Sequence, residues 1–343
     1  MSSFPQTLND LPPGGFGGSL KSAPVTAVKA PKESRADWRL GDRIGYALAW
    51  TAGIALCVIA ASIVGYMGWQ GLKYLRPELL FSHPSAEVDQ AKSGGFLDPL
   101  LGTAILTAVG IVIATPVGVG IAVFVVEFGK PKWLARTVES AIEIVAGTPD
   151  IVLAIFGLAL FQNSIFSWMS FTAEGGAVFG RSFLTAGAIM SLIAIPMIYG
   201  ATREGLNAIP RHMREASYGL GKTRASTIRR VLLPAVRPNI ATGAVLGMGR
   251  IAGDTAVVVI LLGATLRLEP EGGVPGLSVL KGTGSTLTSY VYNNSPAGEG
   301  GSFEKAYAAA FVLLVIVLAL NFFVDVVARR GAKNGLPTRA GGR

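Results

Sequence analysis

The chain has 343 residues, half of them hydrophobic and only 15% charged, with a formal net charge of +9. Water-soluble domains carry about 25% charged residues, so this composition excludes an ordinary soluble domain, and the mean hydropathy of +0.50 points the same way. A single cysteine, Cys57, excludes an internal disulfide.

Residues 1–43 hold Pro12, Pro13, Gly14, Gly15, Gly17 and Gly18, then alternating charge, and no secretory apolar core. They are expected to form a disordered tail. Six apolar blocks follow, near 44–69, 98–126, 136–161, 183–202, 238–263 and 306–327. A bilayer core about 30 Å thick needs roughly 20 apolar residues per spanning helix, and each block qualifies. The expected fold class is therefore an all-α integral membrane protein with about six transmembrane helices, in contact with lipid. The strand-like alternation of a membrane barrel is missing from the pattern. The first block reads as a retained anchor, with Cys57 as a small apolar residue within it. A basic tail, 329–343, follows the apolar body at 44–328.

Basic residues fix an expected orientation. The tail before block one, the loop after block two, the segment 203–237 and the end of the chain together hold 22 of the 30 Lys and Arg residues. Only six lie in the alternate loops, and Arg250 and Lys305 fall in the last two blocks. The positive-inside rule places both termini in the cytoplasm, as an even number of spans also requires. This sided distribution accounts for the positive charge better than nucleic-acid binding, for which no module is visible.

Some polar residues stand inside apolar blocks. Asp150 directly follows Pro149 in block three, where a proline frees backbone groups for a cavity; an interior hydrogen bond is the plainer role. Pro116 and Pro196 read as kinks, and Glu139 and Glu143 as solvated headgroup positions. Arg250 sits near the middle of block five, where a charge costs at least about 2.5–3.5 kcal/mol, so a partner is expected. Asp254 lies four residues on. Read as one continuous helix, Gly243, Gly247, Arg250 and Asp254 share a face, with the glycines admitting a neighbouring helix. Arginine's planar fork suits a tetrahedral oxyanion, and Asp254 would orient it and accept a hydrogen bond from a protonated oxyanion. A purely structural intrahelical ion pair is the alternative.

The segment 203–237 predicts two short helices. Pro210 opens the first, Gly219 or Gly221 stops it, Thr223 caps the second and Pro234 ends it. Met213, Ala216 and Leu220 form an apolar stripe to be covered either by a partner protein or by the chain's own helices. Gly221-Lys222-Thr223 resembles the end of a phosphate-binding loop, but Ala216 stands where the first glycine is required, so nucleotide binding by this chain is not expected. The outer segment 264–303, with Tyr290 and Tyr292, reads as a connection or a contact for a binding protein. His83 and His212 lie far apart, and no catalytic or metal-ligand set is visible, so neither an enzymatic activity nor a metal or other cofactor is expected.

The basic segment resembles the coupling loop of ABC importer permeases, with Glu215, Ala216, Gly221, Leu233 and Pro234 at the family's spacing; Ser217 and Val231 replace an alanine and an isoleucine. Gly94-Gly95, Gly102-Thr103, Ala146 to Val152 and Arg250-Ile251-Ala252-Gly253-Asp254-Thr255-Ala256 further resemble the phosphate-specific transport (Pst) permeases over about 94–328, more the PstA than the PstC type. Asp254 and Asp150 depart from the family's glutamate and serine. The resemblance implies a type I importer subunit that moves inorganic phosphate. It also implies a second homologous permease, two copies of a cytoplasmic ATPase gripped by the loop at Glu215, Ala216, Gly221, Leu233 and Pro234, and an extracytoplasmic phosphate-binding protein. Arg250, Asp254 and Asp150 become the translocation residues. The alternatives are a permease for molybdate or sulfate, an ATP-independent carrier and, less in keeping with the residues, a membrane enzyme.

Overall fold

The computed structural model describes residues 40–84, 94–170, 180–263, 277–295 and 302–334, and these are almost wholly helical. Residues up to Ala60 form one unit and those from Ala61 a second. In the first unit the described chain is the start of α1 (Leu40–Tyr74), apolar and exposed on every side. A helix hydrophobic all round belongs in a core or in lipid. Helix begins at Leu40, three residues before the expected end of the tail; the rest of that tail lies outside the described residues.

The second unit continues with α2 (Pro77–Phe81), α3 (Leu97–Val123), α4 (Lys132–Gly147), α5 (Asp150–Phe161), α6 (Phe183–Ala208), α7 (Arg211–Gly219), α8 (Arg224–Thr227), α9 (Leu233–Ala235), α10 (Arg237–Gly253), α11 (Ala256–Leu261), α12 (Leu277–Lys281), α13 (Leu287–Asn294) and α14 (Phe303–Asn334). Among the described residues four helices are long and apolar enough to cross a bilayer, and six spans result if two bent pairs each count as one. Helix continues to Asn334, past the expected start of the final tail at 329, whose residues from 335 lie outside the described set.

Two expected continuous spans are broken. The block at 136–161 is α4 and α5, bent by 107°. The residue before a proline is pushed out of the helical region, and Thr148 is accordingly extended (φ −80°, ψ 132°), so α4 must stop before Pro149. The block at 238–263 ends as helix at Gly253; Asp254 is extended (φ −78°, ψ 137°) and α11 starts afresh. Pro116 and Pro196 lie inside α3 and α6.

The core forms where α3, α6 and α10 cross, with Leu106, Met190, Ile198 and Ile251 almost fully buried. Gly243 and Gly247 of α10 face α6: a Cβ at 243 would stand 2.9 Å from the Cα of Ile198. A second core joins Phe96, Leu287, Ala308 and Ala309 to Tyr290, which is buried with its ring 5.9 Å from that of Phe96. Tyr290 is thus a packing residue, whereas Tyr292 is half exposed; residues 264–276 and 296–301 of this outer segment lie outside the described set.

The Gly102-Thr103 pair seats α13. A Cβ on Gly102 would lie 2.1 Å from the carbonyl oxygen of Ser285. Thr103 Oγ1 donates to the Pro99 carbonyl at 2.8 Å and accepts from the Leu287 N–H at 2.9 Å. Gly102→Ala is expected to destabilise the fold by roughly 1–3 kcal/mol, the usual range for overpacking. Thermal unfolding of the purified variant in detergent checks this, and an unchanged midpoint would contradict it.

Candidate translocation and coupling sites

The two helix breaks meet. Asp150 opens α5 with Pro149 as its N-cap, and an acidic group in a first helical turn is favoured by the helix dipole. At the other break, Asp254 Oδ1 accepts the Val257 N–H at 2.8 Å, and Thr288 Oγ1 donates to the Asp254 carbonyl at 2.8 Å. Asp254 therefore caps the restart of the helix. An aspartate between a glycine and a short apolar run is a start signal, outweighed on first reading by the length of the block.

Arg250 occupies the last turn of α10, about 20 Å along the helix axis from Arg237 at 1.5 Å per residue. Its Nη2 donates to Asp150 Oδ2 at 2.5 Å; the Arg250 side chain is 48% exposed and that of Asp150 21%. The expected i, i+4 pairing with Asp254 is therefore replaced by a pairing 100 residues away in sequence. The cause is the end of α10 at Gly253, which takes Asp254 off the helix, although Asp254 still lies within electrostatic range of both Arg250 and Asp150. The glycine face also differs from expectation: Gly243 and Gly247 are buried against α6, while the Arg250 fork reaches outward. The three sequence-chosen residues thus form one cluster, of which Asp254 is buried.

The basic segment folds as α7 and α8. Pro210 is the N-cap of α7, Gly221 turns the chain with φ +73°, and the Thr223 side chain caps α8 by accepting the Ser226 N–H. The helix ends at Ala235, one residue past Pro234, after a π turn at Ile228–Leu232. The direction changes by 67° at that point. Of the five expected coupling residues, Glu215, Ala216 and Gly221 are exposed, and Leu233 and Pro234 are partly buried. Leu220 is 79% exposed, and with Met213 and Ala216 it lines an open groove of about 220 Å³. Ala216 and Leu220 are exposed, whereas Met213 is partly buried.

An ion pair not anticipated from sequence anchors this segment. Arg214 Nε and Nη2 donate to Glu127 Oε1 at 3.0 and 2.8 Å. The same guanidinium donates to the carbonyls of Ile209 and Leu206, both at 2.8 Å, capping the end of α6. Glu127 lies in a π turn, Phe124–Phe128, that extends α3. Its side chain is 5% exposed and that of Arg214 19%. Separation by 87 residues hides the pair from any periodicity; a carboxylate at the end of an apolar block was its only sequence signal.

Helices broken beside a charged cluster, together with a basic segment that exposes Ala216 and Leu220, are in keeping with a membrane transport subunit. The model of the family described as binding-protein-dependent transport system inner membrane component matches residues 110–333, and the chain belongs to that family. It is 30% identical to the phosphate transport system permease protein PstC of Xylella fastidiosa (strain 9a5c), over 87% of this chain and 91% of that protein. It is 29% identical to the phosphate transport system permease protein PstA 1 of Mycobacterium tuberculosis (strain CDC 1551 / Oshkosh), over 68% of this chain and 70% of that one. The likeness is thus shared between the two names. Among solved structures, a bacterial alginate ABC transporter in complex with its pentasaccharide-bound periplasmic protein has a chain of the same fold. Its TM-score is 0.59 at 17% identity, over 86% of this chain and 97% of that one.

Proposed function

We propose that this chain is one permease subunit of an ATP-driven importer of inorganic phosphate, with Arg250, Asp150 and Asp254 on the translocation path. The observation that carries the reading is the half-exposed Arg250 fork at the junction of two broken helices, held by a single carboxylate. Among the described residues only one of its donors is engaged. An arriving oxyanion can displace Asp150 and take two parallel hydrogen bonds from the fork. Asp150 then serves as the counter-ion of the empty site, so the guanidinium is never left uncompensated in an apolar setting. A protonated phosphate can donate to one of the two carboxylates, a contact unavailable to sulfate.

The exposed side of Arg250 faces outward from this chain, which suits a path formed against a second, homologous permease. Both termini and the segment 203–237 are cytoplasmic in this reading, on the strength of the basic-residue count. The stripe of Met213, Ala216 and Leu220, with Glu215, Gly221, Leu233 and Pro234, docks on one of two ATPase subunits that carry out hydrolysis, while an extracytoplasmic binding protein delivers phosphate. The Arg214–Glu127 pair ties the docked α7 to α3 and α6, so movement of the ATPase reaches the spans. Coupling requires contacts with Arg250 that differ between the two states.

Phosphate uptake into vesicles holding both permeases, with and without the ATPase, tests the reading. Uptake should need ATP and be competed weakly by sulfate and molybdate. Strong competition would make those ions the substrate, and uptake without the ATPase would make the chain a carrier. In the same system Gly221→Ala forces a side chain into the left-handed region at a cost of about 1–2 kcal/mol. ATPase co-purification should fall roughly tenfold for that energy, and undiminished recovery would sink the docking assignment.

A further inference from the structure

A pocket of about 330 Å³ opens where α3 ends, α4 begins and α6 ends, with Lys132, Arg136, Glu139, Arg203 and Asn207 in its wall. It lies far along α4 from the Asp150 break and is no part of the cluster around Arg250. Three cations face one carboxylate. Glu139 is engaged by Arg203 Nη2 at 2.7 Å and receives the Tyr199 hydroxyl at 3.4 Å. The Arg203 guanidinium also lies 5.8 Å from the centre of the Tyr199 ring. Lys132 and Arg136, one turn apart on the same face of α4, are exposed and make no ion pair or hydrogen bond with any described residue. Like charges at i, i+4 repel, and cations in the first turns of a helix oppose its dipole. Both penalties disappear when an anion sits between them.

The surroundings identify that anion. Val125 and Val126 add an apolar part to the lining. Trp133, adjacent to Lys132, is 67% exposed, and exposed tryptophans gather at the membrane–water interface. Three helix ends meeting beside basic loops place the pocket at headgroup depth, where basic pockets between spans take acidic lipid headgroups. Its volume is far larger than a bare tetrahedral oxyanion and accommodates a phosphate with its glycerol. We propose that this pocket binds the phosphodiester headgroup of an anionic phospholipid, with Lys132 and Arg136 on the phosphate and Arg203 held ready by Glu139. The lipid would brace the start of the helix whose far end carries the 107° bend.

The test uses the permease pair in nanodiscs of phosphatidylcholine alone or mixed with phosphatidylglycerol, comparing wild type with the Lys132→Gln/Arg136→Gln double variant. Wild type should retain phosphatidylglycerol in native mass spectra after transfer to detergent, and unfold at a higher temperature in its presence. Loss of two headgroup contacts should weaken retention about tenfold or more, with folding in phosphatidylcholine unchanged. Equal retention by the double variant, or no preference for phosphatidylglycerol in the wild type, would overturn the proposal. Displacement of the lipid by millimolar inorganic phosphate would assign the pocket to a soluble oxyanion instead, and displacement by added ATPase would assign it to the protein interface.

Discussion

Arg250→Ala is expected to lower ATP-dependent phosphate uptake about 100-fold, because an oxyanion would lose one or two charge-assisted hydrogen bonds, each contributing roughly 1.5–3 kcal/mol. Because the variant leaves Asp150 without its cation, its thermal unfolding in detergent is compared with wild type so that loss of uptake and loss of folding are separated. ATPase binding should persist. Arg250→Lys should recover only part of the rate, because a lysine ammonium lacks the planar fork. Asp150→Asn separates two roles for the partner. If Asp150 only compensates Arg250 in the empty site, the neutral variant should bind phosphate at least as tightly but release it slowly, lowering the maximal rate more than the apparent affinity. Uptake by Arg250→Ala at the wild-type rate would remove this cluster from the path.

Loss of the Arg214–Glu127 pair should have the largest effect on stability and on coupling. Arg214→Ala strands a carboxylate that is 5% exposed and uncaps two carbonyls at the end of α6. Removing one partner of a buried ion pair costs about 3–5 kcal/mol, which thermal unfolding in detergent reads directly. Replacing both residues with apolar ones, as in Glu127→Leu/Arg214→Met, should restore much of that stability, because a buried pair is often no more stabilising than well-packed hydrophobic residues. If the pair also transmits movement from α7 to α3, the double variant should hydrolyse ATP while moving little phosphate. Full uptake by a stable double variant would leave the pair with a packing role alone.

The cluster around Arg250 shows where reading a sequence stops. Arg250, Asp150 and Asp254 stand out because an ionisable group in an apolar block is costly and needs a partner, and the resemblance to the Pst permeases points to the same three residues. That argument is local and it selected three residues that meet. It could not select the pairing, because the assumption of one continuous helix through 238–263 set Asp254 over Arg250. The end of α10 at Gly253 undoes that register, and Asp150 approaches only because α4 and α5 fold back by 107°. The stop at Thr148–Pro149 follows from proline sterics and was readable in principle; the angle was not, since it depends on α5 packing against α11.

The basic segment divides in the same way. Its caps are local chemistry, so Pro210, the left-handed Gly221 and Thr223 fell where the sequence placed them. The π turn at Ile228–Leu232, just before Pro234, is predicted by no propensity. The exposure of Ala216 and Leu220, against a partly buried Met213, depends on packing that helical spacing does not specify.

By itself, then, the sequence determined that this chain is a multi-pass membrane protein and roughly where its apolar helices lie. Those properties follow from transfer energies that act residue by residue along a block. Only the tertiary structure decided that Arg250 answers Asp150, that Arg214 answers Glu127, and that Gly102 lies against the Ser285 carbonyl. Such contacts join residues from about 90 to more than 180 positions apart. They arise from the close packing of helices whose order in space leaves no periodic trace in the chain.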